Sequence, residues 1–279
     1  MPPKLTNNYT SETRNQIKQA DLVILICGYD GILVPHVQPG DEIHMAETVH
    51  EHLEKISQIP SVRLGVISGR SLLDMQTQLP MPGIHYFCNH GLEIQGPDLN
   101  FHHSGAEQLR PAVHEAANTL RIQLRVDRIV VEDRGLSAAL NYRAVMENQI
   151  SSLLPKARNL LASLVRERKI RIEEGRRTLE ILPAIDWDRG KAVRMLHQTY
   201  RALYPDRKIV LLYVGDDAMD EPAFKFSLET GIPYRVTQTR QTDARYYLKM
   251  QTEISRVLKL VREHAPAREL EPARERMVL

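Results

Sequence analysis

Short apolar runs, each followed by a turn-forming segment, constrain this chain most strongly. The clearest are Leu22–Cys27 (LVILIC), Arg63–Ile67 (RLGVI) and Ile209–Val214 (IVLLYV). A strand that is apolar throughout is buried on both faces, as the strands of a parallel sheet are. Apolar residues at helical spacing lie between such runs, for example over 41–57. This alternation predicts a doubly wound α/β fold.

The pattern changes in the middle of the chain. There the spacing predicts two helices and four strands, at 106–124, 127–132, 135–143, 146–167, 169–174 and 177–182, with a Gly175-Arg176 turn in the last hairpin. Strands paired by hairpins and backed by helices indicate an α+β unit inserted into the α/β unit. The predicted division is an α/β core over 1–104 and 184–264, an insertion over 105–183, and a charged tail over 265–279 that is disordered or forms a solvated helix.

Charge and composition exclude several classes of function. The 279 residues include 37 Lys and Arg against 35 Asp and Glu, and this net charge of +2 gives no reason to expect a nucleic-acid partner. No apolar run approaches the roughly 20 residues of a membrane helix, and the N-terminus lacks the apolar stretch of a signal peptide. The two cysteines, Cys27 and Cys88, cannot form a disulfide framework, so a cytoplasmic location is expected.

Four segments place polar side chains at the edge of the predicted sheet where doubly wound folds bind ligands. They are Gly28–Leu33 (GYDGIL), Ile67–Arg70 (ISGR), Asp186–Lys191 (DWDRGK) and Gly215–Glu221 (GDDAMDE). Taken singly, the first three are typical of ordinary turns, helix caps and solvated helix starts. The fourth has four acidic residues among seven. Because these carboxylates repel one another, a bound cation is the simplest reason to gather them, and the segment predicts a metal site.

In this order the four segments resemble those of the haloacid dehalogenase (HAD) superfamily and, within it, the trehalose-6-phosphate phosphatase family. Four further segments are similar to family motifs: Asn89–Ile94 (NHGLEI), Val131–Arg143 with its VEDR and AALNYR ends, Gly175–Ile181 (GRRTLEI) and Thr242–Leu248 (TDARYYL). The resemblance covers roughly residues 20–262. It implies a Rossmann-like HAD core with an inserted α+β cap of the C2 type.

The resemblance also implies roles for the residues that match. The family transfers a phosphoryl group through an aspartyl-phosphate with Mg²⁺. Asp30 is expected to act as general acid and base and to touch the metal through its backbone carbonyl, Ser68 to bind phosphate, and Asp216 and Asp217 to hold the metal. The residues expected to bind the substrate are Arg70, His90, Glu93, Glu132, Arg134, Asn141, Arg143, Arg176 and Glu180. Taken singly, those in the insertion also fit a solvated strand surface.

Several positions depart from the family pattern. The family's nucleophilic aspartate corresponds to Gly28, which has no side chain to attack phosphorus or to bind Mg²⁺. Catalysis is therefore expected to be lost or strongly impaired, and Mg²⁺ binding to be weak. The family's threonine corresponds to Ile32, its third-motif lysine to Arg189, and a cap histidine to Asn141. Together these changes indicate a site that is no longer under catalytic demand.

Three functions remain open at this point. The first is a catalytically silent protein that binds a phosphorylated sugar such as trehalose 6-phosphate, a partner such as a trehalose-phosphate synthase, or both. The second is an active Mg²⁺-dependent phosphatase in which Asp30 activates a water in the space left by Gly28. The third is a scaffolding subunit without a ligand.

Overall fold

A computed structural model describes residues 4–5, 9–37, 42–239 and 241–271 of the chain. Its strands are β1 Lys4–Leu5, β2 Leu22–Gly28, β3 Val62–Ile67, β4 His85–Cys88, β5 Glu93–Gln95, β6 Asn100–His102, β7 Val130–Asp133, β8 Ala138–Asn141, β9 Ile170–Gly175, β10 Thr178–Pro183, β11 Ile209–Gly215, β12 Gly231–Val236 and β13 Tyr246–Leu248. Its helices are α1 Tyr9–Gln19, α2 Glu47–Ser57, α3 Leu72–Gln78, α4 Ser104–Gln123, α5 Glu147–Leu160, α6 Ala162–Arg166, α7 Arg189–Leu203, α8 Glu221–Thr230 and α9 Ile254–His264.

The larger sheet has the order β1-β13-β12-β11-β2-β3-β4-β5-β6. In this order, every neighbouring pair from the β1 edge of the sheet up to the pair β3–β4 is parallel. The last two pairs, β4–β5 and β5–β6, are antiparallel. This confirms the predicted α/β class with a mainly parallel sheet. The chain winds outward in one direction from β2 and in the other from β11, so the switch point lies between these two strands, at Gly28 and Gly215. A crevice at such a point is where open α/β sheets bind ligands.

Two layers of helices cover the larger sheet. Alternate side chains of β2 point to opposite faces: Val23 and Leu25 pack with α1, α2 and α9, whereas Ile24 and Ile26 pack with α7 and α8. All seven residues of β2 are buried, as the continuous apolar run predicts. Each such aliphatic side chain contributes about 1.5–3 kcal/mol when it is fully removed from water.

The smaller sheet is antiparallel, with the order β7-β8-β10-β9. Helices α4, α5 and α6 cover one of its faces, and their contact is apolar, with Val113, Leu140, Leu153 and Leu179 fully or almost fully buried. The insertion is therefore an α+β unit with its own core, and its other face is turned toward the larger sheet.

Local structure differs from the sequence-based expectation in three places. The helix expected over 41–57 begins only at Glu47, because Ile43 and Met45 pack on the core as part of an irregular segment. The helix expected over 146–167 is interrupted at Leu161, where ψ is 0°. The hairpin between β9 and β10 turns at residues 176–177 rather than at 175–176, since Gly175 pairs with Thr178.

Other elements carry too little sequence signal to be anticipated. Strands β5, β6, β12 and β13 and helix α8 fall in stretches that gave no clear periodicity. In the tail, residues 265–271 form no helix, and residues 272–279 lie outside the described part of the chain. None of the helices in the described ranges combines the length and hydropathy needed to cross a bilayer.

His85 on β4 is expected to make the protein less stable in mild acid. Its side chain is fully buried, with Nε2 3.3 Å from the hydroxyl of Tyr200, and burial lowers its pKa from 6.5 to about 4. Between these two pH values the unfolded chain binds the proton and the native chain does not, so stability falls as pH falls. Urea titrations at pH 7 and pH 5 should show that the wild type loses about 2 kcal/mol more than His85→Gln does. Equal losses in the two proteins would contradict this assignment.

Candidate active site

A cavity lies between the carboxyl edge of the larger sheet and the uncovered face of the smaller sheet. Its lining residues are Gly28, Asp30, His36, Val37, Ile43, Ile67, Ser68, Gly69, Arg70, His90, Glu132, Arg134, Asn141, Arg143, Thr178, Glu180, Arg189, Asp216 and Asp217. The cavity thus gathers side chains from both units at the switch point of the sheet.

Asp30 is fixed by two neighbours from the loop that follows β3. Arg70 donates from Nε to Oδ2 at 3.0 Å and from Nη2 to Oδ1 at 2.8 Å, and the Ser68 hydroxyl donates to Oδ2 at 3.2 Å. Burial by itself raises the pKa of Asp30, but the hydrogen bonds and charge of Arg70 outweigh it and hold the pKa below its ordinary value. The Asp30 carboxylate is therefore ionised and engaged in a two-pronged ion pair.

The loop after β11 is organised around Asp220, which is fully buried. Its Oδ1 accepts hydrogen bonds from Arg189 Nη1 and from the Tyr213 hydroxyl, both at 2.6 Å. Its Oδ2 accepts from the backbone N–H groups of Asp216 and Asp217, both at 3.0 Å. Burial raises the pKa of Asp220, whereas the charge of Arg189 and these hydrogen bonds lower it, and the balance is a lowered pKa.

A second arginine balances the charge of Glu221 at the end of this acidic loop. Glu221 accepts from Arg235 Nη1 at 2.7 Å, and Arg235 also donates to the backbone carbonyls of Asp216 and Asp217. Two of the four acidic residues that predicted a cation are thus paired with arginines. Of the four acidic residues of this loop, Asp216 and Asp217 are the two that line the cavity.

Asp216 accepts a hydrogen bond from a histidine that lies in the loop after β2. The distance between His36 Nε2 and Asp216 Oδ2 is 2.6 Å, and Nη1 of Arg176 lies 3.7 Å from the same oxygen. Both members of the first pair are largely shielded, with side-chain exposures of 19% for His36 and 6% for Asp216. Asp217 accepts from the backbone N–H groups of Ala218 and Arg176.

On the other wall, a buried cluster joins the two units. The Glu180 carboxylate of β10 accepts from His90 Nε2 at 3.1 Å and from Arg134 Nη1 at 3.0 Å. Arg134 also donates to the carbonyl of Gly69, and a Cβ at Gly69 would lie 2.7 Å from Arg134 Nη1, so a larger residue there would displace the guanidinium. Burial raises the pKa of Glu180, but the charge of Arg134 and the bond from His90 lower it well below its ordinary value.

His90 also links this cluster to Arg189. Its Nδ1 accepts from Arg189 Nη2 at 3.2 Å, so the proton of a neutral ring lies on Nε2, which donates to Glu180. Burial lowers the pKa of His90; the hydrogen bond and charge of Glu180 oppose this, the charges of Arg189 and Arg134 add to it, and the balance is a lowered pKa. The ring is therefore a neutral bridge between the two units.

Most of the residues predicted from sequence meet at this cavity. Glu132, Asn141 and Arg143 line it on the side of the smaller sheet. Arg176 is not among the lining residues; its side chain is more than half exposed, and its Nη1 lies 3.7 Å from Asp216 Oδ2. Glu93 lies outside the lining. It belongs to β5 and faces His102 on the neighbouring strand β6, with 3.9 Å between Oε1 and Nδ1.

Comparison with known proteins identifies the family. The family model described as "Trehalose-phosphatase" matches residues 26–252, which is most of the chain. The chain belongs to the trehalose-phosphatase family. Probable trehalose-phosphate phosphatase C of Arabidopsis thaliana is 27% identical to it in an alignment of 248 positions that covers 85% of this chain and 75% of that relative.

A second curated relative agrees with this membership, and a solved structure shares the fold. Trehalose-phosphate phosphatase of Mycobacterium tuberculosis is 30% identical over 219 residues, which are 77% of this chain and 54% of that protein, so the match spans about half of the relative's length. The C-terminal domain of trehalose-6-phosphate phosphatase from C. albicans superposes with a TM-score of 0.78 at 17% identity, over 94% of this chain and 98% of that domain. At that identity the likeness shows the fold.

The resemblance to HAD phosphatases implies Mg²⁺, and the donor groups of this chain either fit that ion or do not. No three His, Cys, Asp or Glu side chains converge as metal ligands in the described ranges. Gly28 supplies no carboxylate, Asp216 already accepts from His36, and both oxygens of Asp217 accept from backbone N–H groups. Mg²⁺ requires nearly octahedral oxygen ligation, usually with at least one or two free carboxylates. The residues present do not fit a resident Mg²⁺.

Sequence reasoning missed His36, Thr178 and the structural role of Asp220. His36 lies in a loop without periodicity, and nothing in its neighbourhood indicates a partner 180 residues away. Asp220 could have been inferred from Tyr213, since a tyrosine within an apolar strand requires a hydrogen-bond partner when it is buried.

Proposed function

We propose that this trehalose-phosphatase family member binds a phosphorylated sugar such as trehalose 6-phosphate and is catalytically silent or strongly impaired as a phosphatase. One observation carries the proposal: a cavity rich in arginine and hydrogen-bond donors surrounds Gly28, a residue that cannot act as a nucleophile. In a serine protease, loss of the nucleophile costs on the order of 10⁶ in turnover, whereas binding does not depend on it.

Arg143 is the arginine best suited to an anionic ligand. It faces the cavity, and no carboxylate of the described residues lies within 4.0 Å of its guanidinium. Arg70, Arg134 and Arg189, in contrast, each have an acidic partner. A phosphate could therefore pair with the guanidinium of Arg143, which has no carboxylate partner among the described residues. It would compete with carboxylates for the donors of the other three arginines.

In the alternative of an altered mechanism, Asp30 would have to act as the base that activates a water. Its contacts with Arg70 and Ser68 oppose this role. A water-activating base must have a pKa near the working pH, but Arg70 holds the pKa of Asp30 below its ordinary value. The two oxygens of Asp30 are also occupied by Arg70 and Ser68. These contacts favour binding without turnover.

Calorimetric titration with trehalose 6-phosphate, run beside an assay of released phosphate, tests the proposal. We expect saturable binding, no binding of unphosphorylated trehalose, and no measurable turnover. Arg143→Gln should weaken binding at least about tenfold, since a charge-assisted hydrogen bond contributes about 1.5–3 kcal/mol. Arg166→Gln, which changes an exposed arginine of α6, should leave affinity unchanged.

The two other functions predict different results in the same experiment. Rapid phosphate release by the wild type would favour the altered enzyme. Absence of heat with any sugar phosphate, combined with co-elution with a trehalose-phosphate synthase, would favour the scaffolding subunit. A synthase partner together with sugar-phosphate binding would extend the proposal rather than replace it.

A further inference from the structure

The resemblance does not explain the His36–Asp216 pair in the cavity. The two residues are 180 positions apart in the sequence. They lie on the loops after β2 and β11, which meet at the switch point of the sheet. The Nδ1 atom of His36 is buried and has no hydrogen-bond partner within the described residues, so the ring's polar contact is the one with Asp216.

The backbone at Gly31 leaves room for the pair. A Cβ at Gly31 would lie 2.4 Å from Asp216 Oδ2 and 2.4 Å from His36 Nε2, so any other residue would collide with both atoms. Gly31 also has a φ of +82°, which favours glycine. The loop is therefore shaped to bring the imidazole onto this carboxylate.

The pair supplies what a cation would supply. A buried carboxylate requires a partner, because an unpaired buried charge costs several kcal/mol. At Asp216 the partners are the N–H group of His36 and, at 3.7 Å, the guanidinium of Arg176. Both come from this chain, so the carboxylate is satisfied without an added ion.

We infer that His36 takes the place of a divalent cation on Asp216, and that the site accepts a phosphate group without a metal. The second half rests on the proposed function, whereas the first half concerns the protein alone. The site does not fit Mg²⁺ because two protein donors, His36 and Arg176, contact the carboxylate that the resemblance assigns to the metal.

Direct measurement of Mn²⁺ binding by electron paramagnetic resonance tests the first half without any sugar. Because Gly28 also lacks a ligand, four proteins are compared: wild type, His36→Ala, Gly28→Asp/Ile32→Thr, and Gly28→Asp/Ile32→Thr/His36→Ala. We expect the wild type and Gly28→Asp/Ile32→Thr to bind Mn²⁺ weakly. Adding His36→Ala to Gly28→Asp/Ile32→Thr should tighten Mn²⁺ binding at least tenfold.

The control is His44→Ala in the same background, which removes an exposed histidine with a side-chain exposure of 77%. It should leave Mn²⁺ affinity unchanged. Equal Mn²⁺ affinity of Gly28→Asp/Ile32→Thr with and without His36 would overturn the inference. So would tight Mn²⁺ binding by the wild type. Thermal unfolding confirms that each variant is folded.

The second half is tested by titrating the wild type with trehalose 6-phosphate in EDTA and in Mg²⁺. Equal affinity in the two buffers supports metal-free binding, and a tenfold gain with Mg²⁺ overturns it. Absence of binding in both buffers would refute the proposed function and leave the Mn²⁺ result to decide the role of His36.

Discussion

Gly28→Asp combined with Ile32→Thr and His36→Ala is expected to raise Mg²⁺-dependent phosphate release from trehalose 6-phosphate at least about 10²-fold above the wild type. The first change supplies a carboxylate nucleophile. The second replaces Ile32 Cγ1, which would lie 3.0 Å from a Cβ at residue 28, by a smaller hydroxyl oxygen that can also bond the phosphate. The third frees Asp216 Oδ2 from its hydrogen bond to His36.

The gain should be larger than the product of the gains from the single changes, because nucleophile and metal act as a unit. Arg189 is left unchanged, since a lysine cannot make both of its contacts, to Asp220 and to His90. Initial rates of phosphate release with and without EDTA measure the effect. The matched control is Gly28→Asn in place of Gly28→Asp, which has the same size but cannot form an aspartyl-phosphate and should stay at the wild-type rate.

A folded triple variant that binds Mn²⁺ but releases no phosphate would contradict the expectation. The loop after β2 would then hold residue 28 in an orientation from which no side chain reaches phosphorus. A gain that is equal in the asparagine control would show that metal binding rather than a restored nucleophile is responsible.

The larger sheet was predictable because its central strands are apolar on both faces. The runs at 22–27 and 209–214 leave no polar face for water, and this alone indicates a parallel sheet covered by helices. The edge strands lack this signal: β5 and β6 are three residues each, and their exposed positions are polar. Their pairing follows from contacts of β5 with β4 and of β6 with β5, which no local pattern records.

Motif order predicted which loops meet, but the contacts within the cavity depend on distant partners. A carboxylate-rich segment has the same local sequence whether a cation or arginines neutralise it. In this chain Arg189 and Arg235 neutralise two of the acids, and His36 bonds a third. These partners lie 14 to 180 residues away, beyond the reach of spacing arguments.

Asp220→Ala is expected to destabilise the protein by about 3–5 kcal/mol, which is the usual cost of leaving one member of a buried ion pair alone. The change removes both hydrogen bonds to Oδ1, so Arg189 and the Tyr213 hydroxyl lose a buried partner. For a chain of this size the midpoint of thermal unfolding should fall by on the order of 10 °C. Asp206→Ala, at an exposed turn, should change stability by less than about 0.5 kcal/mol.

The same substitution separates a structural role of Asp220 from a role in binding. Asp220 also accepts the backbone N–H groups of Asp216 and Asp217, so its loss releases the loop that presents both residues to the cavity. Asp220→Asn keeps one acceptor oxygen, which can serve either the side-chain donors of Arg189 and Tyr213 or the two backbone N–H groups, but not both. We expect it to lose less stability than Asp220→Ala but more than Asp206→Ala. A double-mutant cycle with Arg189→Met should be less than additive, because each single change already breaks the ion pair. Additive effects would mean that Arg189 and Asp220 stabilise the fold independently of each other.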